Sequence, residues 1–117
     1  MSAVANLLVA FVALLHLLFL VLEMFLWTKP FGRRTFGLTK ELADASAGLA
    51  ANQGLYNGFL AAGLIWGLTV NSFEVKLFFL ACVIVAGVFG AFTAKRSILF
   101  VQALPGALAL VAVIAAR

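Results

Sequence analysis

Four apolar stretches, at residues 3–27, 49–70, 75–94 and 98–116, take up most of the 117 residues and dictate what the chain can become. A helix rises about 1.5 Å per residue, so about 20 mainly apolar residues cross a hydrocarbon core of about 30 Å. Each stretch is close to that length or beyond it. Period-two alternation of the outer-membrane strand kind is absent, which favours a helical bundle over a β-barrel. The composition, 66% hydrophobic and 10% charged, is that of a membrane protein rather than a soluble one. The expected fold is all-α: one integral membrane domain of four helices, with residues 28–48 as its only long connection.

Charge sets the expected topology. No Lys or Arg precedes the first stretch and no small-x-small cleavage pattern follows it, so it is expected to stay in the mature protein rather than act as a signal peptide. Lys29, Arg33, Arg34 and Lys40 follow the first helix, and Lys95 and Arg96 separate the third from the fourth; only Lys76 and Arg117 fall on the other side. Under the positive-inside rule this bias puts residues 28–48 and the Lys95–Arg96 turn in the cytoplasm and both termini outside. In a chain of this composition the net charge of +4 points to the membrane surface, not to nucleic acid. The one cysteine, Cys82, cannot form an internal disulfide and reads as a packing residue.

The second helix carries the most informative polar groups. At about 100° per residue, Asn52, Tyr56, Gln53 and Asn57 spread in that order over roughly 140° of its surface. Gly54 and Gly58 lie beside them and offer a groove to a neighbouring helix. On the first helix His16, Leu20, Glu23 and Trp27 recur at spacings of four, three and four and form one stripe. A carboxylate inside a membrane helix is costly and points into the bundle or a wet cavity. Trp27 is an interfacial aromatic, and Pro30 and Gly32 are expected to stop the helix there. Residues 28–48 are expected on the membrane surface, with Thr39 capping a helical lead-in through Glu41, Leu42 and Asp44. In the third helix Cys82, Ala86 and Gly90 form a small-residue seam. In the fourth, Gln102 precedes Pro105, whose ring frees the carbonyl of Val101.

Antiparallel helices allow residue counts to be turned into depth. Glu23, Asn52, Asn57, Thr93 and Gln102 all fall in the cytoplasmic half, His16 falls near the midplane, and the outer half carries almost nothing polar. This distribution suggests a pocket opening to the cytoplasm, rimmed by Arg33, Arg34, Lys95 and Arg96. Glu23 and His16 are its candidate proton-transfer groups; Asn52, Gln53, Tyr56, Asn57, Gln102 and Trp27 are its candidate binding residues. No metal is expected, because one His and one Glu two turns apart cannot share an ion and no second His or thiolate cluster exists. No other cofactor is expected, and no pocket for a haem on His16 can be identified.

These residues carry a resemblance. His16, the run Leu22-Glu-Met-Phe-Leu-Trp27, Phe36-Gly37, Leu49-Ala-Ala-Asn-Gln-Gly-Leu-Tyr-Asn-Gly58, Ala86-Gly87, and Gln102 before Pro105 together resemble the small bacterial membrane proteins grouped as DUF1304. The likeness runs over nearly the full length, and the Asn-Gln-Gly-Leu-Tyr-Asn-Gly string is specific. It implies an inner-membrane, multi-pass location and a four-helix fold, and it brings no activity with it.

Three kinds of function remain open on the sequence. The first is a protein that binds an amphiphilic small molecule and transforms it by acid–base chemistry, with Glu23 as acid or base and the amides orienting a polar head. The second is a small proton-coupled exporter, since four helices and a first-helix glutamate look superficially like the small multidrug resistance transporters. The single orientation set by charge and the amide-rich second helix count against it. The third is an assembly module without ligand, in which the same polar groups hold helices together. The glycine grooves would also permit a homo-oligomer.

Overall fold

The computed structural model describes residues 2–117, and over these the chain is all-α. Its α-helices are α1 (Ser2–Met24), α2 (Pro30–Phe36), α3 (Lys40–Thr69), α4 (Phe73–Thr93) and α5 (Leu104–Ala115), with a π-helical turn at Leu99–Ala103 running into α5. α1 and α4, of 23 and 21 residues, are long and apolar enough to cross a membrane. Leu99–Ala115 is apolar but shorter. α3 is the longest at 30 residues, and the amides along it dilute its apolar character. The chain forms two compact units, residues 2–14 with Leu60–Arg117, and Leu15–Phe59.

In the first unit, Ala5, Val9, Val12 and Ala13 turn one face of α1 inward, as spacings near 3.6 require. They join Leu64, Leu80, Val83, Ala109, Ala112 and Val113 in one core. On α4 the buried stripe is Lys76, Leu80, Val83 and Gly87. The expected seam of Cys82, Ala86 and Gly90 is therefore displaced by about one residue: Ala86 is exposed and Cys82 half-buried. The reason is backbone fit, because a Cβ on Gly87 would lie 2.7 Å from the Ala103 nitrogen and 2.9 Å from its Cα. Only glycine lets the two backbones approach so closely. Phe78, Val85, Phe89 and Phe92 point outward from α4, and Phe92 is 86% exposed.

Pro105 lies within a helical run that is continuous from Leu99 to Ala115. It occupies the first turn of α5, and the strand of backbone before it opens into the π turn, where the Leu104 N–H donates to the Leu99 carbonyl five residues back. The wider turn accommodates the missing proline donor that an α-helical ladder would leave as a gap. At the other end, Asn71 adopts a left-handed conformation (φ 50°) and Ser72 caps α4, its Oγ accepting from Val75 N at 3.2 Å. Asparagine is among the few residues that enter this region readily.

In the second unit, α1 ends at Met24, so Trp27 leaves the helical stripe that its spacing suggests. Pro30 forces the residue before it into extended backbone, and Lys29 indeed sits at φ −81°, ψ 158°. The chain must unwind ahead of it, and both Phe25 N and Leu26 N close onto the Val21 carbonyl. Pro30 then starts α2 rather than merely stopping α1, in the position where its absent N–H costs nothing. Gly32 is buried inside α2 against the Leu26 carbonyl. Gly37 closes α2 in the left-handed region (φ 65°), with Leu38 N donating to Arg33 O at 2.8 Å. Residues 28–48 are thus mostly helical, since α3 already begins at Lys40 with Thr39 Oγ1 accepting from Leu42 N at 3.1 Å.

Candidate functional site

The second unit brings the last turns of α1 onto the glycine face of α3. A Cβ on Gly54 would lie 3.2 Å from the Leu20 carbonyl oxygen and 3.3 Å from Glu23 Cβ, and one on Gly58 would lie 2.8 Å from Leu20 Cδ1. The two glycines therefore set the distance at which polar groups can meet. Across this contact Asn57 Nδ2 donates to Glu23 Oε1, and both side chains are half-buried. A carboxyl at the end of α1 and an amide near the middle of α3 make a polar centre in an otherwise apolar contact.

The other candidates of the second unit distribute around this pair. Asn52 and Gln53 are exposed and have no hydrogen-bond partner among the described residues. Tyr56 is 55% exposed and meets Phe59 edge to face. His16 is fully buried, with the Phe19 ring 5.2 Å away, and helix spacing keeps it two turns, about 10 Å, from Glu23. The Trp27 indole is already engaged: Nε1 donates to Ser46 Oγ at 3.0 Å, Ser46 Oγ donates to the Leu42 carbonyl, and the Phe36 ring lies 4.8 Å away. Trp27 thereby ties the end of α1 to α2 and to the start of α3. Among the described residues no group of three His, Cys, Asp or Glu side chains gathers to hold a metal. Gln102 belongs to the first unit, half-buried in the π turn.

Comparison with known proteins bears on the whole chain. A family model described as a protein of unknown function, DUF1304, matches residues 10–114. The chain belongs to the DUF1304 family. It is 31% identical over 107 residues to the uncharacterized protein YpaA of Lactococcus lactis subsp. lactis (strain IL1403), an alignment covering 88% of this chain and 87% of that one. No solved structure matches. The matched span of this DUF1304 chain takes in every candidate residue, from His16 to Gln102.

One polar cluster of this DUF1304 protein escapes the sequence reading, which leaves that end of the helices nearly empty of polar groups. In the first unit Lys76 is only 6% exposed, and its Nζ donates to Asn6 Oδ1 and to Asn71 Oδ1, both at 2.9 Å. The amine joins α1, the turn before α4, and α4 itself. Depth counting carried a signal for it: Asn6 and Lys76 each lie within the first turns of helices that start at the same expected face.

Proposed function

We propose that the chain is a multi-pass protein of the bacterial inner membrane, a four-helix bundle with both termini outside and α2 and the Lys95–Arg96 turn in the cytoplasm. Its function is to bind the polar head of an amphiphilic small molecule at Glu23 and Asn57, with Asn52, Gln53 and Tyr56 supplying further contacts. The observation that carries this reading is the Glu23–Asn57 contact, with unpaired amides left exposed on the same helix. An ionisable side chain within a membrane helix is costly and by default marks a functional site, whereas hydrogen bonds between such helices stabilise by only about 0.6–2 kcal/mol.

Helix length supports placing this site in the cytoplasmic half of the bilayer, with Asn57 about 12 Å inside the hydrocarbon boundary. α3 has 30 residues and is about 45 Å long, roughly ten residues more than a hydrocarbon core needs. With Thr69 at the outer interface, residues 40–49 extend beyond the hydrocarbon and Asn52 and Gln53 fall near its boundary. Glu23 lies one residue from the end of α1. A molecule held there has its head among amides and its tail in lipid. Glu23 is then the acid or base of any transformation, and His16, two turns deeper, reaches it only through a bent path or a water.

Extraction and mass spectrometry of small molecules that co-purify with the wild type, Glu23→Gln, Asn57→Ala and Asn52→Ala test the proposal. One defined amphiphile held by the wild type and lost from the variants is the expected result. Equal bulk lipid in all four, with helicity intact, rejects it. The exposed and unpaired Asn52 and Gln53 favour one competing reading, an assembly surface for a second protein. In that case alanine at Asn52, Gln53 and Tyr56 disperses a complex and removes no ligand.

A further inference from the structure

A second binding feature lies in the first unit. α4 and the π turn flank an open cleft of about 280 Å³ whose walls are wholly apolar, formed by Ile84, Val88, Leu99, Phe100, Ala103 and Ala107 among others. Two structural facts shape it. Gly87 brings the α4 backbone against Ala103, and the π turn leaves Phe100 and Leu104 exposed instead of folding them inward. Lys95 and Arg96 sit at one end of this cleft. The Leu99 N–H, on a wall residue, donates to the Arg96 carbonyl at 3.0 Å, and the Lys95 N–H donates to the Gly90 carbonyl at 3.1 Å, two residues past Val88.

Both basic side chains are exposed and make no ion pair among the described residues. The sequence from Val75 to Arg117 contains no Asp or Glu, so this stretch carries no acidic side chain of its own beside the two basic ones. We propose that the cleft holds one acyl chain of an anionic phospholipid, with the phosphate at Lys95 and Arg96. The proposal rests on the membrane-spanning reading above and is independent of the Glu23 ligand. Charge selects this occupant over a second copy of the chain: a parallel copy brings another Lys95–Arg96 pair to a molecule that already carries +4. The apolar walls exclude a small soluble anion from the cleft itself.

Two basic residues at a membrane surface account for about a thirtyfold preference for an anionic over a zwitterionic lipid at low salt. Native mass spectrometry of the protein titrated with phosphatidylglycerol or with phosphatidylcholine of the same chains measures this directly. The wild type is expected to retain one phosphatidylglycerol with that preference. Lys95→Gln with Arg96→Gln should abolish the preference, since both side chains are exposed and the fold does not depend on them. Ala107→Phe, which fills the cleft, should weaken both lipids together. Equal retention of the two lipids by the wild type, or an unchanged preference in the glutamine variant, overturns the site. Carbonate extraction of the native membrane separates the two levels of inference. A chain washed off the membrane overturns the spanning reading and the lipid site with it, whereas a chain that stays but shows no preference overturns the lipid site alone.

Discussion

Removing Asn6 should destabilise the protein more than removing the lysine it serves. Lys76 is 6% exposed and has two acceptors at 2.9 Å, whereas Asn6 is half-buried and Asn71 exposed. In Asn6→Leu the amine keeps one acceptor and cannot reach water without moving. A lost hydrogen bond to a cationic donor costs about 1.5–3 kcal/mol in a protein interior, and about 0.6 kcal/mol on average between membrane helices, where the unfolded reference also finds partners. A cost of about 1–2 kcal/mol is therefore expected. In Lys76→Met the aliphatic stem that lies against Gly67 is retained in large part, and the amide acceptors left behind can be hydrated. That substitution should cost less, since it removes the buried charge together with its desolvation cost and leaves only neutral amides, one half-buried and one exposed. Unfolding in mixed micelles with increasing dodecyl sulfate, on both single variants and the double variant, gives the order and the coupling energy. A Lys76→Met loss greater than that of Asn6→Leu, or a coupling below about 0.3 kcal/mol, refutes the reasoning.

Three further outcomes follow from the packing. Gly87→Ala should lower stability by about 1–3 kcal/mol in the same assay, since its Cβ meets backbone atoms of Ala103, while Gly90→Ala, which meets the Ile98 side chain at 3.2 Å, should cost less. Gly54→Ala should weaken the α1–α3 contact more than Gly58→Ala, because the first presses on the Leu20 carbonyl and the second on a movable Leu20 methyl; cross-linking between cysteines placed in the last turns of α1 and on α3 reports the separation. Thr39→Ala removes the cap on Leu42 N and should cost about 1 kcal/mol at the start of α3, read as faster amide exchange over residues 40–43 with the rest unchanged.

Several features were legible because they depend on local chemistry. Thr39 ahead of an acidic turn reads as a helix start, and Gly54 with Gly58 reads as a groove for another helix. Where the sequence reading diverged, two local signals competed. Trp27 fits a helical stripe with Glu23, but Pro30 acts three residues later and unwinds the chain first. The buried face of α4 was illegible for a different reason. A helix apolar on every side has no contrast from which to choose a face, so the close approach of Gly87 to Ala103 chose it.

The sequence by itself determined that the chain is helical, that it is apolar enough for a membrane, and that it belongs to the DUF1304 family, because these follow from composition, periodicity and a specific string of residues. The tertiary structure alone decided which polar groups meet. Of four polar side chains spread over one side of α3, Asn57 reaches Glu23 while Asn52 and Gln53 stay exposed, and Lys76 finds Asn6 across 70 residues of chain. Helical periodicity gives the angle of a side chain around its own axis. It does not give the rotation of that axis against its neighbour, which is set by how small residues let backbones approach.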